Sequence, residues 1–246
     1  MILKKLAVIA VFLFVSGSFV TCGIKENYFL PQVPETNIAR TFNTNADIIL
    51  PAIPGEYYYA GNYAIFYRIY LSNYQTESST ETDINQISSS LASDYRFFND
   101  FTNPANTSSI VSLNTFNNRN YFELEFDGID IPNILPKNGG TVKVQFPTSP
   151  LEYPVISLND GPKFNLRRPS QLVSPETSTP YFLNTAELGF YNIANNIINA
   201  DVSGRSSDVI YNYAYVSMYI VAVGTSSEDF SPIYSKPTHV SVFRLP

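Results

Sequence analysis

The stretch VIYNYAYVSMYIVAVG, residues 209–224, decides the fold. It is long, β-branched and aromatic, the composition that packs best on a pleated sheet. Its apolar side chains are not confined to alternate positions, so both faces need cover, and the reading is a central strand. After the turn TSSEDFSP (225–232) comes IYSKPTHVSVFRL (233–245). The two segments predict a hairpin that closes the fold at its C-terminal end.

A second strand of the same kind lies upstream. YAIFYRIYL, residues 63–71, is aromatic and β-branched, apolar on both faces, and preceded by Pro51, Pro54, Gly55 and Gly61. It too predicts a central strand. TFNTNADIILP (41–51) has a strand-like apolar end at Ile48 to Leu50. YFELEFD (121–127) alternates, with Phe122, Leu124 and Phe126 on one face and Glu123, Glu125 and Asp127 on the other. TVKVQFP (141–147) follows the Asn138-Gly139-Gly140 turn signal. Between them, DINQISSSLASDYRFFNDF (83–101) places Ile84, Ile87, Leu91, Tyr95 and Phe98 on one helical stripe, with Thr82 or Asp83 as its cap. Prolines 147, 150, 154, 162, 169, 175 and 180 make residues 147–181 read as extended loops and edge segments. NTAELGFYNIANNII (184–198) reads as a short helix.

The whole chain agrees with a mainly β reading. Its 246 residues fit one large or two small domains, and 44% hydrophobic content supplies a sizeable core. Charged residues are only 15%, against about 25% in an average domain. The formal charge of −6 lacks the basic excess of a nucleic-acid binder. One His and one Cys cannot build a four-ligand zinc site from protein alone, and one Cys cannot form an internal disulfide. No cofactor motif is present: there is no GxGxxG, no Walker A loop and no GxSxG elbow.

The N-terminus carries its own pattern. Lys4 and Lys5 precede the apolar run Leu6 to Val15, which is ten residues long; SGSFVTC (16–22) ends on the only cysteine, Cys22. Ten apolar residues suit a signal-peptide h-region and fall short of the roughly 20 that span a bilayer. This order resembles a bacterial lipoprotein signal in its relaxed, spirochaete-like form, with Phe19, Val20 and Thr21 before Cys22 and Gly23 after it. The resemblance implies a diacylglycerol on the Cys22 sulfur and membrane anchoring by lipid. Cleavage there removes two of the 15 basic residues, Lys4 and Lys5, and leaves 13 against 21 acidic, net −8. Residues 23–36 then read as a short tether and 37–246 as the body.

The C-terminal hairpin is similar to the last two strands of a fibronectin type III or immunoglobulin-like domain. The residues that carry this are Tyr215, Met218, Ile220 and Ala222, the acidic Glu228-Asp229, then Ser231-Pro232, Ser235, Pro237 and Val240 to Val242. The resemblance implies an antiparallel sandwich with a core of about 100 residues. It leaves a long insertion, roughly 74–185, to hold one or two helices and the YFELEFD segment. In place of the family's buried Trp it implies Tyr63, Phe66 or Tyr67.

Candidate chemistry is sparse. Glu123, Asp127 and Asp130, with Glu125 between them, are the densest acidic group. Such a group can contribute to a Ca²⁺ site or a carboxylate pair for glycoside hydrolysis, and alternation on a solvated strand face explains the same spacing. Tyr57, Tyr58 and Tyr59 can stack on sugars or anchor a protein partner, or pack on the core. His239 is the only imidazole and reads as a surface or edge-strand residue; Arg167-Arg168 can pair with a phosphate or carboxylate. Asn106-Thr107-Ser108 matches a glycosylation sequon, incidental beside a bacterial-type export signal. The sequence as a whole predicts a lipid-anchored cell-envelope protein of non-enzymatic interaction or structural role, facing periplasm or cell surface. The alternatives are a carbohydrate-binding module and a carboxylate-based envelope glycosidase.

Overall fold

A computed structural model describes residues 30, 32–33, 47–50, 60–76, 80–102, 111–126, 142–145, 154–159, 161–169, 200–203, 211–226 and 229–244. The fold is mainly β. Its strands are β1 (Asp47–Leu50), β2 (Ala60–Ser72), β3 (Phe122–Glu123), β4 (Glu125–Phe126), β5 (Val142–Gln145), β6 (Val155–Leu158) and β7 (Lys163–Arg167). They continue as β8 (Val202–Ser203), β9 (Tyr213–Thr225), β10 (Pro232–Tyr234) and β11 (Thr238–Arg244). The helices are α1 (Glu81–Ile87), α2 (Ser89–Thr102) and α3 (Leu113–Asn117).

Both long strands are central, as their composition demands. β2 and β9 pair antiparallel from Ser72↔Tyr213 to Ala60↔Gly224. β3 and the short parallel β8 extend the sheet on β2, while β10 and β11 both lie along β9. The predicted C-terminal hairpin is therefore present, with its return strand broken at Ser235 to Pro237. Ser235 bridges that break: its N–H donates to the Ala222 carbonyl and its Oγ accepts from the Ala222 N–H, each at 2.9 Å. The second sheet has the order β1-β5-β6-β7-β4 and is antiparallel throughout.

Period-two alternation sorts the core. From β2, Tyr63, Ile65, Tyr67, Ile69 and Leu71 face the second sheet, where they meet Val142, Val144, Ile156 and Leu166. The intervening Ala64, Phe66 and Tyr70 face the other way, onto Phe98, Phe116, Ile84, Ile87 and Leu91 of the helices. The result is three layers: sheet, sheet, helices. Each side chain fully buried in them contributes about 1.5–3 kcal/mol relative to exposure. Tyr63 and Tyr67 lie between the sheets, whereas Phe66 stacks on Phe116 at 3.8 Å on the helical side.

Several local expectations need correction. The helix predicted over 83–101 is two helices. Ser88 is extended (φ −165, ψ 151) and its Oγ accepts the Leu91 N–H at 2.9 Å, which starts α2. The cap of α1 is Thr80, not Thr82 or Asp83: its Oγ accepts the Asp83 N–H at 3.3 Å. Within the proline-rich region, residues 155–158 and 163–167 are not edge and loop, because β6 is the middle strand of its sheet and β7 adjoins it. Pro154 and Pro162 bracket these strands without entering them. The turn between them has Asn159 at φ 51, and Gly161 donates to the Leu158 carbonyl at 2.8 Å.

YFELEFD has the predicted alternation and an unpredicted crossing. Phe122, Leu124 and Phe126 all reach the inter-sheet core. Yet β3 pairs with β2 and β4 pairs with β7, so the segment passes from one sheet to the other at Leu124, whose N–H donates to Ile65 at 2.9 Å. Residues 74–185 supply the three helices, β3 of the first sheet, and β4 to β7, which are every strand of the second sheet except β1. Leu30 and Val33, within the stretch read as tether, are buried in the inter-sheet core. The segment predicted as a helix at 184–198 lies outside the described residues.

Candidate functional site

Two buried carboxylates flank β2, one on each face. Tyr67 and Arg68 are neighbours on that strand and so point to opposite sides. On the inter-sheet side, the Tyr67 hydroxyl donates to Asp201 Oδ2 at 2.6 Å. Arg168, directly after β7, closes on the same carboxylate as a fork: Nε donates to Oδ2 and Nη2 to Oδ1, both at 2.8 Å. Asp201 is 0% exposed and Arg168 5%. The Asp201 backbone carbonyl accepts the Ile69 N–H at 2.8 Å, which fixes this carboxylate to β2. Burial first, then the negative charge of Asp201, pushes the Tyr67 hydroxyl well above its ordinary pKa.

The helical side carries a larger network centred on Asp94 of α2. Arg68 Nη1 donates to Asp94 Oδ2 at 2.6 Å, Tyr70 donates to the same oxygen at 2.5 Å, and Arg119 Nη1 approaches Oδ1 at 3.4 Å. Arg68 also donates to the Arg119 carbonyl at 2.7 Å and to Ser203 Oγ at 3.1 Å. Tyr121 donates to Ser217 Oγ at 2.9 Å, and its hydroxyl oxygen lies 3.2 Å from that of Tyr70. Burial is the main cause that raises the pKa of both hydroxyls. The guanidinium of Arg119 lies 4.1 Å from the Phe97 ring centroid, over its face. Chemically, these groups set guanidinium against carboxylate, and burial keeps the tyrosines protonated. They lock elements together.

The residues that the sequence singled out are distributed differently. Glu123 is exposed on β3, and its carboxyl is raised by the protein around it and by the charge of Glu125. Glu125 sits on β4 in the other sheet and pairs with Arg167 at 3.5 Å. Asp127, Asp130, Tyr57, Tyr58, Tyr59 and Cys22 lie outside the described residues. Among the described residues, no group of three or more His, Cys, Asp or Glu is placed to hold a metal ion. Arg167 and Arg168 both pair with carboxylates, one at the surface and one in the interior.

His239 corrects the surface reading. It is on a strand at the edge of its sheet, but its ring is 3% exposed and packs against Tyr95 and Tyr219, with centroids 5.3 and 5.0 Å away. Helix α2, which carries Tyr95, covers that side of the strand. The strand also carries a bulge. β11 shifts register between His239 and Ser241, so Val240 is the extra residue. His239 and Val242 then share the helical side, while Val240 and Phe243 share the inter-sheet side.

Asp94 and Asp201 were not singled out by sequence. The available signal was Arg68, one charge inside a strand apolar on both faces, which requires a buried acidic partner. No family model, curated protein or solved structure matches the chain.

Proposed function

We propose that this is a lipid-anchored cell-envelope protein, held through Cys22, whose body serves an interaction or structural role without catalysis. The observation that carries the reading is the order Lys4-Lys5, Leu6 to Val15, Cys22, with the only cysteine of the chain at the cleavage position. Two acyl chains hold a protein stably on a bilayer where one holds it marginally. The body is read as an elaborated fibronectin III-like or immunoglobulin-like sandwich, a reading supported by two sheets packed around one core. A non-catalytic role is supported by how charge is used. Asp94, Asp201 and Glu125 each face an arginine, and the first two are sealed inside the fold.

The test is metabolic labelling with palmitate. The wild-type chain takes the label and fractionates with membranes, and Cys22→Ala loses both properties. A Cys22→Ala protein that labels as strongly as wild type refutes the anchor.

A further inference from the structure

We propose that Leu30, Gln32 and Val33 form a strap that fixes how far the body can stand from its anchor, so that the protein acts at the surface of the leaflet that holds it. This rests on acylation of Cys22. Leu30 is 6% exposed and Val33 0%, and both belong to the inter-sheet core. Two hydrogen bonds tie the strap to the β10–β11 junction. Gln32 Nε2 donates to the Pro237 carbonyl at 3.1 Å, and the Thr238 hydroxyl donates to the Val33 carbonyl. Thr238 is itself fully buried. The strap therefore joins the chain near its N-terminus to the final strand, some 205 positions away.

The consequence is a reach. Eight peptide units separate Cys22 from Leu30. Fully extended, they span at most about 29 Å. Were the body to begin at β1, Asp47, the same reasoning would allow 25 units and about 90 Å. Sealing Leu30 and Val33 into the core removes that slack. A partner that the body meets must sit at, or project to, the same leaflet. The mature net charge of −8 argues against anionic headgroups as that partner, since like charges repel near the membrane surface.

Two measurements on the full chain test this. The first reads the strap alone. In a Cys22→Ala background, Val33→Cys should react with a thiol reagent at least a hundredfold more slowly than Tyr74→Cys, which replaces a side chain 64% exposed. Equal rates overturn the strap, whatever the lipid does. The second uses acylated protein in liposomes, with a donor dye on Tyr74→Cys or Phe230→Cys and an acceptor on lipid headgroups. Inserting 40 Gly/Ser residues after Lys25 adds a flexible segment with an r.m.s. length of about 35 Å. Energy transfer should fall at least twofold at both sites. Unchanged transfer in protein that carries the palmitate label overturns the reach, whereas loss of the label itself would instead refute the anchor.

Discussion

Replacing Arg168 with Met isolates the energetic role of the inter-sheet ion pair. The change removes both fork hydrogen bonds to Asp201 and leaves a carboxylate that is 0% exposed with, among the described residues, the Tyr67 hydroxyl as its side-chain donor. Breaking one partner of a buried pair typically costs about 3–5 kcal/mol, because the remaining charge has neither water nor counter-ion. That is a large share of the roughly 5–15 kcal/mol that holds a domain folded. For a chain of this size each kcal/mol moves the melting temperature by about 2–4 °C, so Arg168→Met should lower Tm by about 6–20 °C. The triple variant Tyr67→Phe, Arg168→Met, Asp201→Leu removes the charge together with its described side-chain donors. It should recover to within about 1–2 kcal/mol of wild type, since an apolar replacement of a buried pair is often neutral or better. Thermal and urea unfolding followed by circular dichroism measure both. If Arg168→Met costs less than about 1 kcal/mol, water reaches Asp201 and the pair is not buried in solution. If the triple variant is as weak as the single one, the loss comes from packing and the electrostatic account fails.

Alkaline pH should unfold the protein through its tyrosines. Tyr67, Tyr70, Tyr121 and Tyr219 are raised above the ordinary 10.0, chiefly by burial, so their full stabilisation is present below pH 10 and is lost as pH climbs toward the folded values. Above pH 10 the unfolded chain binds fewer protons, and each such tyrosine removes about 1.4 kcal/mol per pH unit. Tyrosinate absorbance should therefore rise together with loss of the β signal; four hydroxyls that titrate near 10 with the fold intact would contradict the burial. The Tyr219 hydroxyl is buried without a hydrogen-bond partner among the described residues, whereas Tyr121 donates to Ser217. Tyr219→Phe should be neutral or stabilising by about 1 kcal/mol and Tyr121→Phe destabilising by about 1–3 kcal/mol, so an inverted order of urea midpoints would refute the network. At Gly161 an added Cβ would lie 2.8 Å from the Leu158 carbonyl oxygen, so Gly161→Ala should cost about 1–3 kcal/mol. Asn159→Gly, at φ 51 in the same turn, should stay within about 1 kcal/mol of wild type, and equal losses for the two would contradict the turn geometry.

What the sequence made legible was set by the range over which each feature is encoded. The two central strands and the hairpin are local: residues 63–71 and 213–223 carry β-branched and aromatic side chains on both faces, and nothing but a doubly covered strand satisfies that. The β6–β7 hairpin is equally local and was hidden by proline density, although Asn159-Asp160-Gly161 between VISL and KFNLR is a turn signal of the kind that joins strands. The sequence reads His239 as a surface or edge-strand residue; it is on an edge strand, and its cover comes from Tyr95 of α2, far away in sequence, which no local pattern shows. The ionic centres lie beyond local rules altogether. Arg68 meets Asp94 across 26 positions, Arg168 meets Asp201 across 33, and Tyr67 meets Asp201 across 134. Only Arg68 announced a need, and nothing in the sequence named its partner.

Those ionic centres also answer a problem that the central strands create. In a strand with one wet face, a slip of one residue moves every apolar side chain into water, so the pattern itself enforces register. β2 and β9 are buried on both faces, and a slip there would exchange one apolar surface for another at little cost. Tyr67 and Arg68 remove that degeneracy. Slipped by one position, Arg68 would point between the sheets, away from Asp94 and Arg119, and Tyr67 would turn from Asp201 toward the helices. Asp94 would then lose Arg68 and keep only Arg119, and Asp201 would lose the Tyr67 hydroxyl while keeping Arg168; removing one partner of a buried pair such as Arg68–Asp94 costs about 3–5 kcal/mol. The networks thus discriminate between registers even if their net contribution to stability is close to zero. The triple apolar variant removes only the Tyr67–Asp201 share of this discrimination, and Arg68 with Asp94 keeps the rest.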